Sequence, residues 1–188
     1  MAGRRVAATL VAVGTTVLLA VGATADQPLQ HRPAVAFADG TPEDLQALAA
    51  ATWDRFLDAF PARVGCVGDV TVAGAWHLAN RGRYDPETGV ATVRIPGPTA
   101  GLRATLVHEF THHLDFTCPG QRLLRPGFLA AQGFPPGTRW RAGATWARIP
   151  SEQFAEATVQ LVLGRPSLQL VYVRPRAIEV IRRWGLGR

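Results

Sequence analysis

The sequence predicts an α+β fold: one small mixed sheet, a central motif-bearing helix, and a second helix that carries acids toward it. Three observations predict it. Apolar residues recur at helical spacing in four separate stretches, while only Val70-Thr71-Val72 and the run from Gly89 to Ile95 have the β-branched composition of strands. The two kinds of segment alternate without an internal repeat. And 188 residues, 47% hydrophobic and 18% charged, suffice for one real core but not for two large domains.

Taken in order, the chain opens with Arg4 and Arg5 before an uncharged run from Val6 to Ala23, then Ala23-Thr24-Ala25. That is the pattern of a secretory signal peptide over residues 1–25, with cleavage after Ala25; an uncleaved N-terminal anchor is the alternative. No later segment is apolar enough to span a bilayer. Residues 26–40, with Pro28 and Pro33 and no periodicity, read as an extended, loosely held lead-in. Thr41-Pro42-Glu43-Asp44 is a helix start with Thr41 as N-cap, Pro42 in the first position and acids in the first turn. Leu45, Leu48, Ala49, Trp53, Phe56, Leu57 and Phe60 then form one packing stripe, which Pro61 ends. Arg63 to Ile95 switches to strand character, with a turn at Asp85-Pro86-Glu87-Thr88-Gly89. A strand at the sheet edge there would be able to pair with an extended substrate.

The next helix, with Thr99 as its N-cap, holds Leu106-Val107-His108-Glu109-Phe110-Thr111-His112, an H-E-x-x-H motif. Histidines four apart on a helix stand ~40° apart around the axis and about 6 Å along it, so both imidazoles can reach one ion. Glu109 leans toward the same space, close enough to act on a water without being a ligand. The pattern points to a single zinc ion and the hydrolysis of amide bonds, with Glu109 as general base. The bland alternative is chance spacing on a solvated face. Against a core role, Leu102, Leu106, Phe110 and Leu114 make the apolar face, whereas His108, His112 and Asp115 lie roughly opposite.

Thr117 to Pro150 is rich in proline and glycine, with at most a short helix over residues 128–132. A loop of this length reads as one wall of a cleft. Trp140 and Trp146 are candidate substrate contacts there, although packing is the commoner fate of a tryptophan. Another helix starts at Ser151 and ends at Gly164 and Pro166, with Phe154, Ala155, Thr158, Leu161 and Val162 facing inward. A last helix spans Arg174 to Trp184, its arginines solvated.

The basic residues are all arginine; without Arg4 and Arg5, 18 face 14 acids, a modest and scattered excess. A basic patch for nucleic acid needs clustering that the sequence does not show. Cys66 and Cys118 are the only cysteines. In an exported chain they form one disulfide pinning the end of the motif helix to the earlier sheet region. Two buried thiols, or Cys118 as a thiolate ligand, are the alternatives.

A catalytic zinc needs three protein ligands and an open position. The spacing that adds a third histidine six residues on is absent, since Asp115 and Cys118 stand where glycine and histidine would be needed. Glu152, forty residues past His112, is the best remaining candidate, with Glu156 one turn later. One of the two carboxylates is available to bind metal and the other to accept the N–H of a ligating imidazole.

His-Glu-Phe-Thr-His-His-Leu-Asp followed by Ser-Glu-Gln-Phe-Ala-Glu-Ala resembles the gluzincin metallopeptidases, in particular the group of the anthrax lethal factor catalytic domain and the Pro-Pro endopeptidases. The resemblance covers residues 100–164 and is specific only in the two helices. It implies a minimal zincin-like metallopeptidase domain over 41–188, with an active-site helix and a second ligand-bearing helix. His108, His112 and Glu152 would be ligands, Glu109 the base, and Glu156 and Asp115 outer partners of the ligands. The chain departs from the group at Thr111, where glycine is usual, and at Thr145 and Trp146, where a tyrosine is expected. His113, Arg148 and Tyr172 are candidates to replace that tyrosine in stabilising the transition state. The expectation is a secreted zinc endopeptidase acting on a peptide or protein; the alternative is a secreted zinc protein without catalysis that binds a partner or wall polymer.

Overall fold

A strand begins where a loose lead-in was expected. In the structure, a computed structural model describing residues 32–165 and 171–188, β1 (Val35–Phe37) pairs in parallel with β2 (Val70–Ala75). The short apolar run at 35–37 is too brief to show a period, so only its partner reveals it. The signal peptide assigned to 1–25, and residues 26–31 of the lead-in, lie outside the described residues.

Between these strands runs α1 (Glu43–Ala59). Its N-cap is Pro42 rather than Thr41, whose hydroxyl donates to the Ala38 carbonyl at 2.7 Å and fixes the turn before the helix instead. Leu45, Ala49, Trp53, Phe56 and Leu57 are buried, as their spacing predicts. After a 3₁₀ turn (Pro61–Arg63) and the single-turn α2 (Val64–Val67) come β2, β3 (Gly82–Asp85) and β4 (Val90–Arg94). The sheet order is β1-β2-β4-β3, with β2 and β4 parallel and β3 antiparallel to β4. It is a mixed sheet with β3 on one edge, so the α+β expectation holds.

The motif helix is α3 (Thr99–Thr117), which starts one residue after its N-cap Pro98. Residues 106 to 111 and 113 to 115 are all buried, because α3 is packed on several sides at once. Its Phe110 ring meets Trp53 of α1 edge to face at 4.8 Å. A helix enclosed in this way loses the polar face its sequence advertises, and the polar residues must find partners inside.

The proline- and glycine-rich segment after α3 is more regular than expected. α4 (Gln121–Gln132) is a full helix that contains Pro126. Gln121, Leu124, Phe128 and Gln132 recur on one buried face, and that burial outweighs the missing proline N–H. α5 (Pro150–Leu163) follows a 3₁₀ turn (Trp146–Arg148) and stops at Gly164, whose left-handed backbone (φ 68°) suits glycine. Phe154, Ala155, Thr158 and Val162 are buried as expected, and Leu161 is half-buried. α6 (Pro175–Gly185) closes the described chain, with Ile181 and Trp184 inward.

Cys66 of α2 and Cys118, just past α3, form a disulfide across a sequence separation of 52. Closing a loop of that size contributes about 4 kcal/mol in the chain-entropy account. It also removes the reading of Cys118 as a thiolate ligand. Among the described residues no helix is long and apolar enough to cross a membrane.

Candidate metal centre

Two helices distant in sequence meet at one point. α3 supplies His108 and His112, one turn apart, and α5 crosses it so that Glu152 in its first turn faces both. His108 Nε2 lies 3.1 Å from His112 Nε2 and 3.0 Å from Glu152 Oε2, and His112 Nε2 lies 3.4 Å from the same oxygen. An ion held tetrahedrally by legs of about 2.0–2.1 Å needs donor atoms about 3.3 Å apart, so this triangle matches one face of such a shell. The donor set is also chemically suited: two imidazoles and a carboxylate can hold a metal ion.

Glu156, one turn further along α5, completes the arrangement from behind. Its Oε1 lies 3.0 Å from His108 Nδ1, where it can accept the Nδ1 proton and leave Nε2 as the ring atom on the side of Glu152 and His112. The two carboxylates thus divide: Glu152 stands with the histidine nitrogens and Glu156 behind His108.

Without an ion the same contacts favour protons. Burial alone would lower the pKa of His108, but its hydrogen bonds to Glu152 and Glu156 override this and push it up to about 10. Burial alone would raise Glu152, yet the hydrogen bonds from His108 and His112 hold it far below the usual carboxylate range. Both shifts come from the same contacts, two carboxylates against one imidazole.

Glu109 is buried, lines the same cleft, and is not one of the three converging donors. Burial pushes its carboxyl up, partly countered by His108 and His112 and by the Tyr84 backbone N–H. It sits beneath the sheet edge because residue 82 is glycine. A Cβ there would collide with the Glu109 carboxylate and with Thr105 Cγ2. Thr111, where the resembling enzymes carry glycine, turns its hydroxyl back to the Val107 carbonyl at 2.7 Å and is fully buried, so it takes no space in the cleft.

Several expected site residues lie elsewhere. Asp115 does not brace the histidines: it accepts hydrogen bonds from Trp140 Nε1 (3.0 Å) and Arg125 (2.9 Å), and pairs with Arg141. His113 is buried, accepts the Tyr84 hydroxyl at Nδ1 (2.9 Å), and has its pKa lowered by burial. Arg148 and Tyr172 line a separate hollow with Gln132 and Arg174. None of these three is among the residues lining the cleft. Of the two tryptophans, Trp140 is core, packed on Phe128 and Phe154. Trp146 stacks on the His108 ring at 5.9 Å and stays partly exposed in the cleft.

The cleft, about 610 Å³, is also lined by residues the sequence reading passed over, notably Asn80, Arg81, Arg83, Tyr84, Arg94 and Arg141. The signal that could have found them is the short run Asn80-Arg81-Gly82-Arg83-Tyr84, where a glycine between arginines interrupts an otherwise ordinary edge strand.

Comparison with protein-family models, with curated proteins and with solved structures finds no match to this chain.

Proposed function

We propose that this protein is a zinc-dependent endopeptidase that works outside the cytoplasm. The observation that supports it best is the triangle of His108 Nε2, His112 Nε2 and Glu152 Oε2, with Glu109 on the same cleft and outside the ligand set. When bound, zinc would supply an acidified water and a positive charge beside the scissile carbonyl. The chain's own residues do the rest. Glu156 holds the Nδ1 proton of His108 and so fixes which ring nitrogen faces the metal. Trp146, stacked on that ring, limits its rotation and keeps bulk water from one side. Glu109 takes the proton from the attacking water and delivers it to the leaving amine. The disulfide fits an oxidising, extracytoplasmic compartment, and export by a signal peptide cleaved after Ala25 accords with it.

Glu109→Gln tests the role. Zinc content, read by metal analysis, is expected to stay near one ion per chain, while peptide cleavage falls by about 10³-fold. Full activity in that variant sinks the mechanism.

A second reading is a zinc protein that binds without cutting. One observation favours it: none of His113, Arg148 and Tyr172 lines the cleft to stabilise a transition state. Cleavage of any peptide by the wild type, abolished by Glu109→Gln, decides against it.

A further inference from the structure

The edge of the sheet beside the metal centre carries a chemical preference of its own. The Arg94 N–H donates to the Arg81 carbonyl at 2.8 Å, and Arg83 stands opposite Thr92 in the β3–β4 register. Bonded and non-bonded pairs alternate in an antiparallel ladder, so 81/94 and 83/92 face inward as bonded pairs. The backbone groups of Gly82 and Tyr84 therefore turn outward, away from β4, and the Tyr84 N–H that reaches Glu109 agrees with this. Residues 79–84 line the cleft without a break, which gives an extended chain an edge to pair with.

Side chains on this edge alternate. Gly82 and Tyr84 lie toward α3, against Glu109 and His113 respectively. Arg81 and Arg83 take the opposite face, both exposed, and Arg94 joins them as the cross-strand neighbour of Arg81. Among the described residues the Arg94 guanidinium donates to the Leu78 carbonyl, at 3.5 Å. Asp85, the acid on that face of β3, has its carboxylate turned into its own loop, where it accepts the Glu87 N–H at 3.0 Å. The floor of the cleft on the other face carries Glu109, Glu152 and Glu156. One face of any added strand would thus meet arginines and the other would meet carboxylates.

We propose that the cleft takes an extended peptide with acidic side chains two residues apart, seated against Arg81 and Arg83, with an uncharged or basic residue between them on the Glu109 side. Directly opposed residues on neighbouring strands bring their Cβ atoms to about 4.5–5.5 Å, close enough for each acid to pair with its arginine. The proposal rests on the peptidase reading only for its location in the cleft; binding does not require turnover.

The test uses the zinc-loaded Glu109→Gln chain and labelled peptides that differ only at the two alternate positions, Glu-x-Glu, Gln-x-Gln and Lys-x-Lys, read by fluorescence anisotropy. The Glu peptide is expected to bind about tenfold more tightly than the Gln peptide, with most of that advantage lost in about 0.5 M salt. Adding Arg81→Glu and Arg83→Glu should reverse the order in favour of Lys. Arg81→Gln with Arg83→Gln serves as the milder variant should the reversal fail to fold, and should level the three peptides. Equal binding of all three, or a preference unchanged by either double variant, overturns the proposal. So does displacement of the Glu peptide by an oligonucleotide of equal charge as effectively as by unlabelled peptide, since charge alone would then explain it. Wild-type cleavage separates the two readings. Cutting without charge preference keeps the peptidase and sinks this proposal, whereas charge-selective binding without cutting does the reverse.

Discussion

Helix α3 buries two acid-centred clusters two turns apart, and they are opposites. At Asp115 one carboxylate meets Trp140, Arg125 and Arg141, donors enough to satisfy both oxygens. At His108 the proportions invert: Glu152, Glu156 and a second histidine crowd around one ring, with Glu109 nearby. The first cluster is complete and locks α3 to α4 and to the loop before α5. The second has more acceptors than donors and could hold a metal ion. Residues 108 and 115 share a helix face, so spacing does not distinguish them; what tells a site from a strut is whether the local hydrogen-bond demand closes.

Breaking each cluster should therefore have different consequences. The largest effect expected on the metal is from Glu152→Ala, which removes a donor atom from the triangle and should weaken zinc binding by more than about 100-fold, beyond the range seen for outer partners. Competition against a chelator of known affinity checks it; unchanged affinity would mean that Glu152 is no ligand. Asp115→Asn should do the reverse. It leaves Arg125 and Arg141 without their anion and is expected to cost about 3 kcal/mol, a fall in Tm of about 6–12 °C, with zinc affinity intact. Loss of zinc from that variant at temperatures where it stays folded would erase the contrast.

Smaller effects sharpen the picture of the second cluster. Gly82→Ala should keep zinc but push Glu109 off its position, lowering cleavage by about 10- to 100-fold. Glu156→Gln should weaken zinc binding by about 10-fold or somewhat more, because the amide still meets Nδ1 but no longer favours its proton.

The pH dependence should differ in sign between the two forms. In the metal-free chain His108 is raised from 6.5 to about 10, so its contribution is full below about 6.5 and lost as pH rises toward 10. Glu152 is lowered from 4.5, so its contribution is present above that value and lost as pH falls through the depressed one. The metal-free chain should then gain most from this cluster between about pH 4.5 and 6.5. Metal must displace the proton on His108 Nε2, so the increase in Tm on adding zinc should grow from pH 6 to pH 8. Melting curves with and without zinc across that range measure it, and a constant increment would show that no proton is released.

How much of this was legible beforehand varies with the kind of signal. The packing stripe of α1 was readable because its residues contact a core on one side and water on the other. α4 was largely missed because Pro126 and the flanking glycines argue locally against a helix, while the burial that overrules them comes from other elements. Asp115 illustrates the same limit. Its face on α3 is shared with the histidines, but Trp140 and Arg141 arrive from a loop whose course the sequence does not reveal.

What the sequence by itself determined is the chemistry on offer: two imidazoles at one helical turn, a glutamate between them, and two more glutamates one turn apart, since covalent spacing and the 3.6-residue repeat settle these without a fold. The tertiary structure alone decided that Glu152 faces the histidine nitrogens while Glu156 stands behind His108, that Gly82 makes room for Glu109, and that arginines rim the cleft. Those depend on how α5 crosses α3 and where the sheet edge passes, and both are set by burial summed over the whole core rather than by any local run of residues.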